Sequence, residues 1–230
     1  IAEDEYLKLL DPKLTAVQFS ISGGNEKLTK AIEPGAPPVG RRLEALTKLT
    51  REKIWTTVRI NPLFPIYPDG YFTDPFATAS RFGGRANVPK FDLFDWNFIG
   101  QLADAGVPSL LAGFVRLSPW SVNNLTKVTG IDFKSFFLPE NAKGNTDRRY
   151  TEKEIAYYYK QIKDRCDVEG IRFSTCYIGN GIKDYFQYQN LWNNKSDCCD
   201  VRGNVASFKT SAQEIPWEER LRHTANKDST

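Results

Sequence analysis

Residues 17–65 constrain the fold of this chain more than any other segment. An apolar run, VQFSIS, is followed by an acidic Pro-Gly turn at Glu33, an amphipathic helix and a second apolar run, IWTTVRINPLFP. A strand, a helix and another strand in this order predict a β-α-β crossover, which joins parallel strands. Arg59 and Asn61 stand near the end of the second strand, and parallel α/β sheets bind their ligands at that edge.

The same alternation continues along the chain. It predicts strands and connecting helices near the following residues: strands 16–22, 54–63, 109–117 and 171–177, and helices 39–52, 94–105, 118–128 and 151–167. Thr151 and Glu154 have the spacing of a capping box, which predicts the start of the last helix. Strands that alternate with helices predict an α/β fold with a parallel sheet, whereas periodicity does not distinguish a barrel from an open sheet.

Two regions differ in pattern. Residues 1–182 carry the strand–helix alternation, together with a long loop over 64–93 and an irregular insertion over 129–149. Long loops in compact domains are usually functional or mobile. Residues 183–230 lose the alternation, and we expect them to form an irregular C-terminal extension.

The composition limits the classes of protein to which this chain can belong. The 230 residues are 40% hydrophobic and 26% charged, which is typical of a globular chain. No apolar run has the length of a membrane helix and no signal peptide is visible, so we expect a cytoplasmic protein with no membrane partner. The 31 basic and 28 acidic residues give a net charge of +3, which does not by itself indicate nucleic-acid binding.

The aromatic residues are a separate reason to consider a nucleic-acid partner. Rings interleaved with the basic residues Arg148, Arg149 and Lys183 would suit base stacking. Core packing is the alternative interpretation of the same rings. The residues in question are Tyr157, Tyr158, Tyr159, Tyr185, Phe186, Tyr188 and Trp192.

The chain has four cysteines, at Cys166, Cys176, Cys198 and Cys199. In a reducing compartment, free thiols or metal ligands are favoured over disulfides. Cys176 near the end of the last strand is read as a small buried thiol, or alternatively as a hydrogen donor or ligand at the sheet edge. Cys198 and Cys199 would add two thiols for an auxiliary iron–sulfur cluster or zinc, although adjacent ligands rarely both reach one metal. The single histidine, His223, argues against Ser-His-Asp or multi-histidine zinc catalysis.

Small polar and acidic residues follow the first strand. Ser20 and Ser22 either simply end the strand or present a hydroxyl to a ligand at the carboxyl edge of the sheet. Glu33 either caps a turn that the neighbouring prolines stiffen or takes part in the same site.

Three linked motifs resemble one known family. Phe19-Ser20-Ile21, Glu33-Pro34-Gly35 and Arg42-Leu43-Glu44-Ala45 occur in the order found in radical S-adenosylmethionine (SAM) enzymes of the spore photoproduct lyase group, also called DNA repair photolyase-like proteins. The next strand continues the resemblance with Arg59, Pro62 and Pro65. It covers about residues 14–70 well and extends more weakly through the later repeats.

This resemblance implies a partial (β/α) barrel, a 4Fe-4S cluster and SAM as cosubstrate. In such enzymes the cluster cleaves SAM to a radical that abstracts hydrogen from a substrate, and the protein binds, orients and shields these species. Carried over to this chain, Ser20 and Arg59 would contact the carboxylate or ribose of SAM, with Glu33 and Asn61 as further candidates. An arginine can hold a carboxylate with two hydrogen bonds. Cys176 would be a catalytic hydrogen donor.

The chain departs from the family at the cluster. The family binds its cluster with CxxxCxxC, and the first cysteine here is Cys166. The resemblance therefore implies that the first barrel strands and the cluster ligands lie outside this chain, in an N-terminal half on the same or another polypeptide. A nucleic-acid lesion is one substrate that it allows. Two alternatives remain: a non-catalytic α/β binding module derived from this fold, and an enzyme of another barrel class using Arg59 and Glu33 on a phosphorylated or carboxylated small molecule.

Overall fold

A computed structural model of the chain describes residues 2–64, 95–137, 147–176, 187–193 and 197–205. The strands are β1 (Ala16–Ser20), β2 (Trp55–Leu63), β3 (Ser109–Phe114) and β4 (Arg172–Thr175). The helices are α1 (Asp4–Leu7), α2 (Glu26–Ile32), α3 (Val39–Arg51), α4 (Asn97–Asp104), α5 (Pro119–Thr129) and α6 (Glu152–Val168), with short 3-10 helices at Phe133–Phe136 and Gln189–Leu191. The predicted loop over 64–93 lies outside the described residues except for Phe64, as does most of the predicted C-terminal extension.

The four described strands form one parallel sheet in the order β1-β2-β3-β4. The α/β class and the parallel sheet are therefore confirmed. Each strand lies beside the one that precedes it in the chain, which is the winding of a (β/α) barrel and of one half of a doubly wound sheet. The described strands do not close on themselves, so the partial barrel stays a proposal.

The two faces of the sheet differ in chemistry. One face is apolar, and its side chains belong to a single buried core that includes Val58, Ile60, Leu110 and Phe173. Helices α3, α4 and α6 add buried residues to that core, such as Leu46, Leu102 and Ile162. The opposite face carries Gln18, Thr57, Arg59 and Ser174, because side chains alternate between faces along a strand.

Local signals explain where the helices begin and end. The predicted capping box is present: the Thr151 hydroxyl accepts from the Glu154 N–H, and the Glu154 carboxylate accepts from the Thr151 N–H. Helix α5 begins after the Ser118 N-cap and ends at Gly130, whose positive φ of 73° lets the chain turn. The predicted elements thus match the observed ones, with ends that differ by a few residues.

The third and fourth strands are shorter than predicted. β3 stops at Phe114, because Leu117 leaves the sheet and pairs instead with Arg148 through two backbone hydrogen bonds of 3.1 and 2.7 Å. This pairing also buries Arg148, which removes it from any basic surface. In β4, Thr175 is the last strand residue, and Tyr177 lies outside the described residues.

Most of the aromatic residues considered for base stacking lie in the core. Tyr158, Tyr159, Tyr188 and Trp192 are buried, and the Trp192 indole donates to the Thr175 hydroxyl at 2.8 Å. The core-packing interpretation is confirmed for these four rings. Of the other stacking candidates, Tyr157 is partly buried and packs against the same core, whereas Tyr185 and Phe186, with Lys183, lie outside the described residues. None of the described helices has both the length and the apolar character needed to cross a membrane.

Candidate functional site

Three of the predicted site residues meet at the carboxyl end of the polar sheet face. The Arg59 guanidinium donates from Nη2 to the Cys176 thiol at 3.3 Å. Gly113 lies between Asn61 and Cys176, and a Cβ added there would stand 2.6 Å from Asn61 Nδ2 and 3.0 Å from Cys176 Cβ. Only a residue without a side chain lets these two groups approach so closely. Strand order and Gly113 together bring Arg59, Asn61 and Cys176 into one site.

Arg59 carries the positive charge of this site. Its side chain is half-buried, and its Nε has no hydrogen-bond partner in the described part of the chain. A buried N–H without a partner costs about 1–3 kcal/mol, which a ligand oxygen would recover. Ser20 stands opposite Arg59 in the register of β1 and β2, on the same face and with an exposed side chain. The edge is therefore chemically suited to hold an anion such as a carboxylate.

The segment 197–205 crosses the polar face below Arg59; we call it the covering segment. The Thr57 hydroxyl donates to the Cys199 carbonyl at 2.8 Å, and the Ser174 hydroxyl donates to the Cys198 carbonyl. Arg172 holds the same segment through Asp200, 3.0 Å from its Nε, and its guanidinium lies 4.7 Å from the Trp55 ring centroid. These contacts place both C-terminal cysteines on the sheet.

The side chains of the two adjacent cysteines touch each other. Cys198 Sγ lies 3.8 Å from Cys199 Sγ, and the Gln18 amide donates to Cys199 Sγ at 3.5 Å. Hydrogen bonding from Cys198 lowers the pKa of the Cys199 thiol to about 6, with further help from Gln18 and the Arg59 charge. Burial acts in the opposite direction at Cys166, where it raises the pKa of the thiol to about 12.

The structure gives no support to the predicted metal ligands. No group of three or more His, Cys, Asp or Glu residues within the described ranges is arranged to hold a metal ion. Cys198 and Cys199 bond to each other instead, and Cys199 also accepts from the Gln18 amide. Cys176 is half-exposed and bonds to Arg59, so it is not the small buried thiol that the sequence favoured; Cys166 is the fully buried one.

Glu33 belongs to a different group of residues. Its carboxylate accepts from the Ser22 hydroxyl and from Arg42 Nη1 at 3.1 Å, and Arg42 Nη1 also donates to the Ser20 carbonyl at 3.0 Å. The predicted partnership of Glu33 with Arg59 is not observed in these contacts. Arg42 was missed as a site residue, although it shares the buried stripe of α3 with Leu46 and Leu49. A basic residue on an apolar helix face signals a buried ion pair.

A cavity of about 350 Å³ opens beside Glu33 at the carboxyl ends of the strands. Its wall is mostly apolar, with a carboxylate, a hydroxyl and an amide as polar groups. Trp120 forms an outer part of the wall and is 72% exposed. The lining residues are Ile32, Glu33, Pro62, Phe64, Leu117, Trp120, Ser121, Asn124 and Leu125. A concave apolar site with a few polar groups is typical of small-molecule binding.

Comparison of the chain with protein-family models, curated proteins and solved structures gave no match. Arg59, Asn61, Cys176 and the residues around them are therefore the basis for assigning a function.

Proposed function

We propose that this chain is part of a radical SAM enzyme of the spore photoproduct lyase-like group, with its SAM site at Arg59. The observation that carries the proposal is the convergence of Arg59, Asn61 and Cys176 over Gly113. The four described strands lie in chain order, as the family's barrel requires. The family resemblance allows a nucleic-acid lesion as the substrate.

The residues present fit the carboxylate end of SAM. The unpartnered Arg59 Nε offers a buried donor, and Nη2 already reaches into the site. Ser20, opposite Arg59 on β1, would offer a hydroxyl, and the Asn61 amide a further donor or acceptor. When bound with a reduced 4Fe-4S cluster, SAM supplies hydrogen-abstracting chemistry. The Cys176 thiol would hold a hydrogen atom at Sγ for return to a substrate.

The residues present do not fit the 4Fe-4S cluster. In the described ranges, no group of cysteines could hold it, and the whole sequence contains no CxxxCxxC. The proposal therefore requires cluster ligands from the N-terminal half of the barrel, supplied outside this chain.

SAM binding to the 230-residue chain tests the proposal. We expect Arg59→Lys to weaken binding about 10- to 100-fold in isothermal titration calorimetry, because one charge-assisted hydrogen bond contributes about 1.5–3 kcal/mol. Arg41→Lys is the matched control, since Arg41 is exposed on α3 and should leave binding unchanged. Equal affinity of the Arg59→Lys and Arg41→Lys variants would contradict the role of Arg59. No SAM binding even when the N-terminal half of the barrel is present would refute the proposal.

A second candidate is a non-catalytic α/β binding module. The cavity beside Glu33 favours it, because this cavity has the volume and lining of a small-molecule site. Iron content after anaerobic reconstitution separates the two functions. A preparation that contains this chain with its N-terminal half and binds four irons per chain pair supports the enzyme. A preparation without iron that still binds SAM or another small molecule supports the module.

A further inference from the structure

The two adjacent cysteines of the covering segment have no role in the proposed SAM site, yet the fold holds them in a specific position. Their backbone carbonyls are bonded to Thr57 and Ser174 on two different strands, and their sulfur atoms lie 3.8 Å apart. Both side chains are half-buried and so remain open to a small reagent. A pair of neighbouring thiols with controlled access is the arrangement found in thiol redox sites.

The surroundings favour the thiolate form of Cys199 over that of an ordinary cysteine. Gln18 from β1 donates to its sulfur, Cys198 bonds to it from within the segment, and the Arg59 charge on β2 attracts it. Burial of the sulfur and, to a smaller extent, repulsion from Asp197 oppose these effects. The balance lowers the pKa of Cys199 to about 6, so this thiol is mostly ionised at pH 7.

We propose that Cys198 and Cys199 form a peroxide-reactive dithiol, in which Cys199 is the attacking sulfur and Cys198 the resolving one. The Cys199 thiolate attacks one oxygen of hydrogen peroxide or an organic hydroperoxide. A sulfur–oxygen bond forms, the oxygen–oxygen bond breaks, and the leaving hydroxide or alkoxide takes up a proton. Cys199 is oxidised by two electrons to a sulfenic acid and the peroxide is reduced to water or an alcohol.

Resolution uses the second thiol. Cys198 attacks the Cys199 sulfenic sulfur, a disulfide bond forms, and the hydroxyl leaves with the Cys198 proton as water. Adjacent residues hold their Cα atoms only about 3.8 Å apart, which is closer than the usual separation across a disulfide. The product is consequently strained and easily reduced by ordinary thiols. The peptide joining the two cysteines must also turn, which would break the hydrogen bond from Ser174 to the Cys198 carbonyl.

The expected rate advantage is modest, and its pH dependence is the sharper signature. Relative to a thiol with the ordinary pKa of 9, a pKa of about 6 raises the ionised fraction at pH 7 about 90-fold. The intrinsic nucleophilicity of a thiolate falls as its pKa falls, which lowers the rate constant about 20-fold and offsets most of this gain. Cys199 should therefore react only about fourfold faster at pH 7, with a rate that is half-maximal near pH 6 rather than near pH 9.

Trypsin digestion makes the test direct. Cleavage after Lys195 and Arg202 releases SDCCDVR, which contains both cysteines and no other. After treatment of the folded chain with hydrogen peroxide and blocking of free thiols, we expect this peptide to lose two hydrogen atoms and to recover them with dithiothreitol. Cys198→Ser should instead stop at a sulfenic acid that dimedone traps on Cys199, and Cys199→Ser should abolish both products.

Two controls keep the outcome tied to the fold. Cys166 is buried and should stay reduced in the folded chain. In urea the selectivity for Cys199 should disappear. A disulfide between Cys199 and Cys176, equal oxidation of all four cysteines in the folded chain, or an unmodified SDCCDVR peptide would each overturn the proposal.

Discussion

Removal of the Glu33 carboxylate should destabilise the chain more than removal of its partner, Arg42. The Arg42 side chain is 8% exposed, and only its Nη1 atom has hydrogen-bond partners in the described residues. Without Glu33 the guanidinium charge of Arg42 would stay buried, and among the described residues only the Ser20 carbonyl would accept a hydrogen bond from it. Glu33 is 29% exposed and keeps contact with water when its partner is removed. Loss of Glu33 thus leaves a buried charge on Arg42, whereas loss of Arg42 leaves a partly exposed charge on Glu33.

The magnitudes follow from this asymmetry. Breaking a fully buried pair costs about 3–5 kcal/mol, and the partial exposure of Glu33 reduces this, so we expect about 2–4 kcal/mol for Glu33→Ala. That value includes the cost of leaving the buried Ser22 hydroxyl without its acceptor. For Arg42→Met we expect about 1 kcal/mol, since a buried charge is replaced by an apolar chain of similar length. The double variant should cost less than the sum of the two single variants.

Urea unfolding followed by circular dichroism measures these differences, provided that the slope with denaturant is unchanged. Asp4→Ala is the matched control, because Asp4 pairs with Lys48 on the surface, where the side chains are 83% and 48% exposed. Its cost should stay below about 0.5 kcal/mol. An Arg42→Met variant less stable than Glu33→Ala, or additive effects in the double variant, would refute the reasoning.

Two further predictions concern Gly113 and Cys166. Gly113→Ala should cost about 1–3 kcal/mol in the same urea assay, because its Cβ would collide with the Asn61 amide, whereas Gly35→Ala meets no atom within 4 Å and should cost less. Raising the pH from neutral towards 11 should destabilise the chain: unfolded Cys166 ionises near 9, while burial raises its folded pKa to about 12. The contribution of Cys166 to the free energy of unfolding is fully present below pH 9 and is lost as the pH rises from 9 towards 12. Cys166→Val should weaken this pH dependence, and an unchanged dependence would contradict its origin in Cys166.

The order of strands and helices could be predicted because it depends on local sequence patterns. Each strand is apolar on the face that the helices cover, and the boundaries of α5 and α6 depend on nearby residues such as Ser118, Gly130 and Thr151. Arg59, Asn61 and Cys176 could be predicted to meet for a related reason. All three lie near the carboxyl ends of strands, and parallel strands in one sheet bring those ends together.

Contacts between distant segments could not be predicted in this way. Cys199 bonds to Gln18 across 181 residues and to Thr57 across 142. Much of this docking uses backbone carbonyls, which every residue has, so no side-chain pattern marks it. The sequence therefore suggested a metal for Cys198 and Cys199, while the structure pairs them with each other and with an amide. For Glu33, the family motifs contained both partners, but their spacing did not show that Arg42, nine residues later, bonds to it.

The two arginines at this end of the sheet differ in the charge that remains for a ligand. Arg42 is neutralised by Glu33, whereas the groups found beside Arg59 are an amide and thiols. An incoming anion is therefore attracted to Arg59 rather than to Arg42. The Arg59 charge also stabilises the Cys199 thiolate, so the thiolate competes electrostatically with a bound carboxylate for Arg59. Oxidation of Cys199 to a neutral disulfide would remove that competition, and the proposed anion site and the proposed dithiol would then be linked through Arg59.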